Sequence, residues 1–371
     1  MQHRLLHVFP GFPIGGMQTQ FATLANALGD RFRHVVVALD GRTQCRVKID
    51  AATPHDIVDA PPGGANGLKA APAILRFLRD QAPDAVVTYN WGAIEWCLIA
   101  RAAGVAPVIH AEHGFGPDEA DGLLARRNLF RRLTLRGDAR LVVPSLALRA
   151  IAGRHWGIAP AAIHHIPNGI DIARIESRAA ARPAVFAPRP DELVLGAVSP
   201  LVAVKDLGCL LRVFAPLARA DGRWRLVIAG DGPERASLEA DASRLGLGAR
   251  IRFLGSLDDP APELASCDAL AMTSRSEQMP YAVLEAMALG KPVVATDVGD
   301  IAAMVASENR PLIRPRGDEP GLASALRRLA ADAALRARLG EANRARCAAI
   351  YDEGRMCAAY RGLYEDAVAS R

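Results

Sequence analysis

Two glutamates, Glu277 and Glu285, have the surroundings in this sequence that most clearly suggest chemistry. The apolar run DALAMTS before Glu277 predicts a buried strand, which places Glu277 in the loop at the carboxyl end of that strand. Pro280 suits the first position of a helix, and Gly290 suits the residue just past its end. Glu285 then lies inside an otherwise apolar helix, where a buried carboxylate is costly unless a hydrogen-bond donor meets it.

The two carboxylates are expected to lie on the order of 10 Å apart, because part of a loop and more than one helical turn separate them. This distance is too long for paired acid–base work on one bond. Between them, the start of the helix offers free amide groups and the positive end of the helix dipole. One interpretation is a ligand with hydroxyl groups at both ends and phosphates in the middle, which describes a nucleotide-diphosphate sugar. The other is a solvated Glu277 and a Glu285 that pairs with an arginine elsewhere.

A glycine-containing loop, VFPGFPIGGMQTQ, follows the first predicted strand. Gly11, Gly15 and Gly16 allow a tight turn before a helix that is expected to begin near Met17. Glycine amides at a helix start attract phosphate, but the same pattern also fits a tight turn with no ligand. The spacing is not that of a nicotinamide-cofactor fingerprint, and no acidic residue stands where its ribose would need one.

The composition describes a globular protein: 371 residues, of which 50% are hydrophobic and 23% are charged. No apolar run is long enough to span a membrane, and the N-terminal residues favour a first buried strand over a signal peptide. The net charge of +5 at pH 7 suits anionic substrates or a membrane surface and does not require nucleic acid. Six scattered cysteines without metal-binding spacing indicate a reducing compartment, so we expect a cytoplasmic protein.

Short β-branched runs alternate with longer Ala/Leu-rich stretches, which predicts an α/β protein with two doubly wound parallel sheets. The alternation pauses in a segment rich in Pro, Ala and Arg over residues 173–191, which is the expected linker. We therefore expect a first Rossmann-like domain over residues 1–180 and a second over 190–345. The helical tail over 346–371 could cap either domain, and we consider its return to the N-terminal one.

The order and spacing of several motifs resemble a known family. The segment SEQMPYAVLEAMA is similar to the E-x7-E signature of the family 4 retaining glycosyltransferases, which have the GT-B fold of two Rossmann-like domains facing each other across a cleft. The resemblance covers nearly the whole chain and includes the glycine loop PIGG, the histidine loop HAEHG, the inter-domain junction IPNGID, the donor-phosphate region AVKD and the nucleotide-side strand end AGDGP. TYNWGAIE and HAEHG also resemble the bacterial subgroup associated with exopolysaccharide and surface-glycan gene clusters.

The resemblance implies a role for each matched residue. Glu277 would stabilise charge at the reacting carbon of the donor sugar, Lys205 would neutralise the leaving diphosphate, and Glu285 would accept hydrogen bonds from the nucleotide ribose. His113 would contact the donor sugar near the bond that breaks, and His110 would be a partly buried supporting residue. The further expected contacts are Gly15, Gly16, Gly230, Gln278 and Met279 on the donor, and Asn90, Trp91 and His110 on the acceptor side.

Three departures from the family pattern bear on activity. Where the family usually has Gly-Arg-Leu before the lysine, this chain has Ser-Pro-Leu, so that Pro200 replaces an arginine that would share the diphosphate charge. Proline also supplies no amide donor. Gln18 replaces the glutamate usual after the glycine loop, and Gln278-Met279 replaces the commoner Gly-Phe, a change that leaves the backbone amides in place.

These features predict a retaining glycosyltransferase that moves a sugar from a UDP- or GDP-linked donor to a glycan or lipid-linked acceptor in bacterial exopolysaccharide or surface polysaccharide synthesis. The resemblance implies front-face substitution, with catalysis by positioning and charge stabilisation. No Asp-X-Asp occurs, so we expect neither a metal nor a separate cofactor. Two alternatives remain: a nucleotide-sugar epimerase of the same architecture, and a relative that binds nucleotide sugars without turnover, which Pro200 would favour.

A basic amphipathic helix is predicted for LLARRNLFRRLTLR, directly after the histidine loop. At about 100° per residue, one face carries leucines and a phenylalanine, and the other carries arginines. The predicted apolar face comprises Leu123, Leu129, Phe130 and Leu133, and the predicted basic face comprises Arg127, Arg131, Arg132 and Arg136. Such a helix suits peripheral contact with anionic lipid on the inner face of the cell membrane, but it also fits a helix that packs its leucines on the sheet.

Overall fold

The computed structural model of this chain describes residues 2–370 and divides into two compact units. The first comprises the chain up to Asn168 together with the residues from Gly354 onward, and the second comprises Gly169–Glu353. The division thus falls earlier than the expected end of the first domain at residue 180. The tail that follows the second unit belongs by its contacts to the first, so the first unit is discontinuous in sequence.

The first unit is built on a parallel sheet that has seven strands in the described residues, in the order β3-β2-β1-β4-β5-β6-β7. Its buried strands are rich in β-branched residues, as expected for strands covered on both faces. The strands are β1 (His3–Phe9), β2 (Phe32–Ala38), β3 (His55–Val58), β4 (Ala85–Tyr89), β5 (Val108–Ala111), β6 (Arg140–Val143) and β7 (Ile163–His165). The connecting helices are α1 (Gly16–Leu28), α2 (Ala71–Gln81), α3 (Ile94–Ala102), α4 (Ala125–Leu135) and α5 (Leu146–Ile151).

The second unit contains a parallel sheet that has six strands in the part of the chain described, in the order β10-β9-β8-β11-β12-β13. Its strands are β8 (Leu193–Val198), β9 (Trp224–Ala229), β10 (Ile251–Gly255), β11 (Ala269–Met272), β12 (Val293–Thr296) and β13 (Ile313–Arg314). Its helices are α6 (Ile172–Ala180), α7 (Leu207–Ala220), α8 (Arg235–Arg244), α9 (Ala261–Ser266), α10 (Tyr281–Ala288), α11 (Ile301–Met304), α12 (Glu319–Ala331) and α13 (Ala333–Ile350). The expectation of two doubly wound parallel sheets is therefore confirmed.

The last helix, α14 (Glu353–Ala369), packs in the core of the first unit. One of its tyrosines, Tyr364, is fully buried and meets the ring of His7 on β1 edge to face. His7 itself is fully buried, with its Nδ1 3.1 Å from the Tyr89 hydroxyl and its Nε2 3.0 Å from Nδ1 of His34. Burial lowers the pKa of His7 well below its usual value and that of His34 to about 4, so both rings are neutral at pH 7.

The segment over residues 173–191, expected as a linker, contains most of α6 and belongs to the second unit. Asp171 begins this helix by accepting a hydrogen bond from the amide of Arg174. Close to where the second unit begins and ends, the Ile170 amide donates to the Tyr351 carbonyl at 2.8 Å, and Arg174 forms an ion pair with Glu353. The two ends of the second unit are therefore held together. No helix among residues 2–370 is long and apolar enough to cross a membrane.

Candidate functional site

The central contact of the second unit's candidate site is an ion pair between Lys205 and Glu277. Lys205 Nζ lies 2.6 Å from Glu277 Oε1, and the Ser274 hydroxyl donates to the same oxygen at 2.8 Å. Both side chains are mostly buried, with 19% and 11% of their surface exposed. The two residues to which the family resemblance assigns the diphosphate and the donor sugar are thus brought together in direct contact.

The loop that carries Lys205 is held by the residues just before Glu277. The Thr273 hydroxyl donates to the Asp206 carbonyl at 2.9 Å and lies 3.3 Å from the Lys205 carbonyl. The Arg275 amide donates to the Val204 carbonyl at 2.7 Å. Asp206 adopts a left-handed conformation with φ 44°, and its side chain accepts from the amide of Cys209 at the start of α7. Sequence reasoning passed over Thr273, although its place between the strand and the glutamate loop was a usable signal.

The residues between Glu277 and α10 form a closely packed turn. The side chains of Gln278 and Met279, both expected to contact the donor, are buried, so they are available to a ligand chiefly through their backbone. The Gln278 carbonyl accepts from the Asp300 amide at 2.9 Å. A side chain at Gly299, where φ is 60°, would meet the carbonyl oxygens of Glu277 and Gln278 at 2.5 and 2.6 Å. This position therefore requires glycine.

Glu285 lies in α10, and only 16% of its side chain is exposed. Arg178 of α6 places a terminal nitrogen 4.0 Å from Glu285 Oε1. This is the arginine pairing that the sequence left open as an alternative, at a distance too long for a hydrogen bond. The helix begins one residue later than expected, with Pro280 as its N-cap.

Gly230, expected on the donor side, lies where the backbone leaves β9. Its φ is 146°, and a side chain here would come within 1.9 Å of the Ser199 carbonyl oxygen. The next residue, Asp231, accepts a hydrogen bond from the Leu201 amide at 3.0 Å. Glycine at this position therefore lets the segment around Pro200 approach the strand end closely.

In the first unit, the glycine loop precedes α1, which begins at Gly16 with Gly15 as its N-cap. The Gln18 side chain donates to the Gly11 carbonyl at 3.1 Å and so closes the loop on itself. A side chain at Gly11 would meet the carboxylate of Asp40 at 2.2 Å. Gln18, noted as a departure from the family pattern, thus has a structural role in this chain.

The histidine loop follows β5 and is fixed by Asn90. The His113 amide donates to Asn90 Oδ1 at 2.6 Å, and Asn90 adopts a left-handed conformation with φ 53°. The His113 ring stacks on Tyr89, and its Nε2 is a buried atom without a hydrogen-bond partner in the described part of the chain. Burial lowers the pKa of His113 to about 4, so its imidazole is neutral at pH 7.

His110 is fully buried in β5, so its side chain does not reach an acceptor directly. Its Nδ1 lies 2.8 Å from the Thr88 hydroxyl, and its Nε2 lies 3.7 Å from Glu112 Oε2. The acceptor-side assignment of His110 is corrected accordingly, because complete burial limits it to supporting the loop. Trp91, by contrast, is half-buried beside α4 and stacks its ring edge to face with Phe130.

Arg131 and Glu112 form a buried ionic network that sequence reasoning missed. The Arg131 guanidinium is fully buried, donates from Nε to Glu112 Oε2 at 3.0 Å and makes two bonds of 3.1 Å to Glu119. It also lies over the rings of Trp91 and Trp156 at 5.1 and 5.0 Å. The residue spacing within HAEHG could not predict this arginine, because Glu112, Glu119 and Arg131 lie in separate segments of the sequence.

The amphipathic pattern of α4 was assigned to the wrong faces. Arg127 and Arg131 point inward to the acidic residues, whereas Leu129 and Leu133 are 58% and 62% exposed. The periodicity of a sequence separates the two faces of a helix, but it does not determine which face packs against the rest of the domain. Here Arg131 faces the interior because it pairs with Glu112 and Glu119. The exposed face carries both leucines together with Arg126 and Arg132, and Arg136 is exposed directly after the helix ends.

Both units match models of glycosyltransferases. Residues 14–174 match the family described as Glycosyltransferase Family 4, and residues 189–332 match the one described as Glycosyl transferases group 1. Its two Rossmann-like units have the GT-B fold, and the two family matches make the chain a glycosyltransferase. The chain belongs to the family 4 glycosyltransferases, which confirms the resemblance found in the sequence motifs.

Individual relatives agree with this placement. The chain is 29% identical over 322 residues to a D-inositol 3-phosphate glycosyltransferase of Saccharomonospora viridis, a match that covers 80% of this chain and 74% of that protein. It is 34% identical over 146 residues to the lipopolysaccharide core biosynthesis glycosyltransferase LpsD of Rhizobium meliloti, covering 39% of this chain and 43% of LpsD. The Anabaena protein Alr3699/HepE, solved in complex with UDP, shares the fold with a TM-score of 0.81 at 19% identity, covering 98% of this chain and 100% of that one.

Proposed function

We propose that this chain transfers a sugar, with retention at the anomeric carbon, from a nucleotide-diphosphate donor to a glycan or lipid-linked acceptor of a bacterial surface polysaccharide. The observation that carries the proposal is the contact between Lys205 and Glu277, which follow neighbouring strands of one sheet. It joins a cation suited to a diphosphate to a carboxylate suited to sugar hydroxyls. HepE was solved with UDP and with UDP-glucose, and LpsD is named for lipopolysaccharide core biosynthesis, which supports the donor class and the pathway.

In the proposed reaction, the bond between the anomeric carbon and the diphosphate oxygen breaks as the acceptor oxygen bonds to the same face of that carbon. The acceptor proton passes to the leaving diphosphate. Lys205 lowers the cost of the negative charge on that diphosphate, and Glu277 stabilises positive charge at the anomeric carbon. The neutral His113 ring is suited to one hydrogen bond with a sugar hydroxyl. The protein thus acts by position and charge, and we propose that it needs no metal.

The ion pair gives Lys205 two tasks. Without a donor, Lys205 neutralises Glu277, which is mostly buried and would be costly to leave unpaired. With a donor bound, its ammonium group can contact a phosphate as well, because lysine offers three N–H donors. Since Pro200 stands where the family usually has an arginine, Lys205 carries more of the diphosphate charge in this proposal.

The direct test is a melting-temperature screen of the purified protein with UDP- and GDP-sugars, followed by an assay of sugar transfer in the presence of a metal chelator. A donor at about 100 times its Kd is expected to raise the melting temperature by roughly 5–10 °C, because it stabilises the native state by about 2.7 kcal/mol. Conversion of the nucleotide sugar without any acceptor would instead indicate an epimerase. Binding without transfer would indicate a non-catalytic relative, and the absence of any shift would contradict the proposal.

We further propose that the exposed face of α4 contacts an anionic membrane surface. Leu129 and Leu133 lie one helical turn apart on this face, and both are exposed. Three exposed arginines lie nearby in sequence: Arg126, Arg132 and Arg136. Exposed leucines flanked by arginines suit the boundary between lipid headgroups and acyl chains. This arrangement differs from the one expected from sequence, because Arg127 and Arg131 do not take part.

Changing Arg126, Arg132 and Arg136 to Gln is expected to weaken binding to anionic vesicles by about 100-fold at low salt, since each arginine contributes about 1 kcal/mol. The measurement is vesicle sedimentation at several lipid concentrations. A matched control changes the same number of exposed arginines in the second unit, Arg327, Arg328 and Arg338, and is expected to bind like the wild type. Equal binding by both triple variants, or no binding by the wild type, would refute the membrane proposal.

A further inference from the structure

A line of charged residues connects Glu285 to two other helices of the second unit. Glu285 lies in α10, and Arg178 of α6 approaches its carboxylate to 4.0 Å. The same guanidinium makes two hydrogen bonds to Asp259, which lies two residues before α9: Nε to Oδ2 at 3.0 Å and a terminal nitrogen to Oδ1 at 2.5 Å. Arg178 is thus placed by Asp259 and faces Glu285 from that position.

Asp259 is itself held in place. Its Oδ1 accepts from the Ala261 amide at 3.0 Å, and its carbonyl accepts from Arg182 at 2.8 Å. Because a bidentate bond between arginine and a carboxylate fixes the plane of the guanidinium, Arg178 has little freedom to follow Glu285 if that side chain turns. The positive charge of Arg178 is therefore held in a fixed position near Glu285 before any ligand binds.

The contact between Arg178 and Glu285 is an ion pair without a hydrogen bond, since 4.0 Å exceeds hydrogen-bond distance. Arg178 thus attracts the Glu285 carboxylate and offsets part of the cost of its burial. A carboxylate can accept hydrogen bonds from a pair of neighbouring hydroxyl groups, because it has two oxygens with several lone pairs. In the proposed function, that pair is the 2′- and 3′-hydroxyls of the nucleotide ribose.

We propose that Arg178 is a positioning residue that acts through Glu285 to make nucleotide binding depend on the ribose hydroxyls. The inference rests on the proposed function, because it concerns the same donor site. Arg178 lies in the segment that the sequence marked as a linker, outside the E-x7-E motif, and its contribution depends on the packing of α6 against α9 and α10. In this arrangement Arg178 touches Glu285 and Asp259 but is not assigned a contact with the nucleotide.

The chain offers a matched control in Arg182, about one helical turn further on. Arg182 also ties this segment to α9, through two bonds to Glu263 at 3.0 and 3.1 Å, but no contact connects it with Glu285 among the described interactions. A role in holding the segment against α9 would make Arg178 and Arg182 equivalent. A role in ribose recognition would distinguish them.

The experiment compares the affinities of UDP and 2′,3′-dideoxy-UDP by calorimetric titration, with GDP and its dideoxy analogue as a second pair. The wild type is expected to prefer the ribose form by about 10- to 100-fold, since hydrogen bonds to a charged acceptor are lost in the analogue. Glu285→Gln is expected to reduce this preference to below about threefold. Arg178→Met is expected to reduce it by about tenfold, and Arg182→Met is expected to leave it within about twofold of the wild type.

Arg178→Lys and Arg182→Lys form a second pair that preserves charge and keeps the test valid if either methionine variant fails to fold. Lysine cannot reproduce the bidentate contact with Asp259, so Arg178→Lys is expected to lower the ribose preference and Arg182→Lys is not. A preference that is lost in Glu285→Gln but unchanged in both Arg178 variants overturns the inference and leaves the proposed function intact. A wild type that binds neither nucleoside diphosphate overturns the proposed function, and the inference falls with it.

Discussion

Replacing Glu277 by glutamine is expected to lower sugar transfer by about 100-fold or more, while the affinity for the nucleoside diphosphate stays the same or rises. The loss of turnover follows because the variant cannot stabilise positive charge at the reacting carbon, an effect comparable to removing one preorganised group from an active site. The affinity is preserved because Lys205, 2.6 Å from Glu277 in the wild type, is released from its ion pair and becomes fully available to phosphate. The measurement pairs steady-state kinetics with calorimetric titration of UDP or GDP.

Glu285→Gln supplies the contrast, because this carboxylate is assigned to the ribose and has Arg178 as its nearby cation. Its affinity for the nucleoside diphosphate is expected to fall by roughly 10-fold, since a charge-assisted hydrogen bond is weakened. A similar loss of nucleotide affinity in both variants would show that the roles of the two glutamates are not divided in this way.

Replacing Arg131 by glutamine is expected to lower the free energy of unfolding of the first unit by about 3–5 kcal/mol. Removing Arg131 takes away the arginine partner of Glu112 and leaves Glu119 paired with Arg127 alone, and both glutamates are buried. For a unit of this size, the melting temperature should fall by roughly 6–20 °C. Differential scanning calorimetry is the suitable measurement, because two units need not unfold in one transition.

Arg132→Gln is the control for this prediction, since Arg132 is the next residue of α4 and is exposed. Its melting temperature is expected to stay within about 2 °C of the wild type, as for most surface substitutions. If Arg131→Gln melts like Arg132→Gln, the ionic network does not stabilise the histidine loop, and the burial of its charges has no energetic consequence.

The sequence was sufficient to predict the two parallel sheets, because the periodicity and the length of its apolar runs indicate buried strands directly. It also placed Glu277 in the loop after a strand, whereas Lys205 was assigned only by the family resemblance. Their contact could not be predicted from the residues alone, since it depends on β8 and β11 being neighbours in the sheet although they are not consecutive in sequence. The order of strands in a sheet depends on the packing of the whole unit, so the local sequence pattern does not predict it.

Two errors have a common physical origin. The sequence analysis placed the arginines of α4 on a face that contacts lipid or solvent, and it assigned the arginine-rich segment containing α6 to a linker. In both places the arginines pair with acidic residues: Arg131 with Glu112 and Glu119, and Arg178 with Asp259. Arginine is expected to be exposed unless it is paired, and its partner can lie far away in sequence. The amino-acid type alone is therefore a poor predictor of whether an arginine is buried when its acidic partner is not known.

The discontinuity of the first unit has a consequence for the order in which the protein acquires its structure during synthesis. The helix α14 supplies buried residues such as Tyr360 and Tyr364 to the core around β1, yet it is translated after the whole of Gly169–Glu353. The second unit is a continuous stretch whose ends are joined at Ile170 and Tyr351, so it has all of its residues as soon as it leaves the ribosome. The earlier-made strands must wait, with the apolar surface around His7 uncovered, until α14 arrives. That interval is when the nascent chain most needs a chaperone.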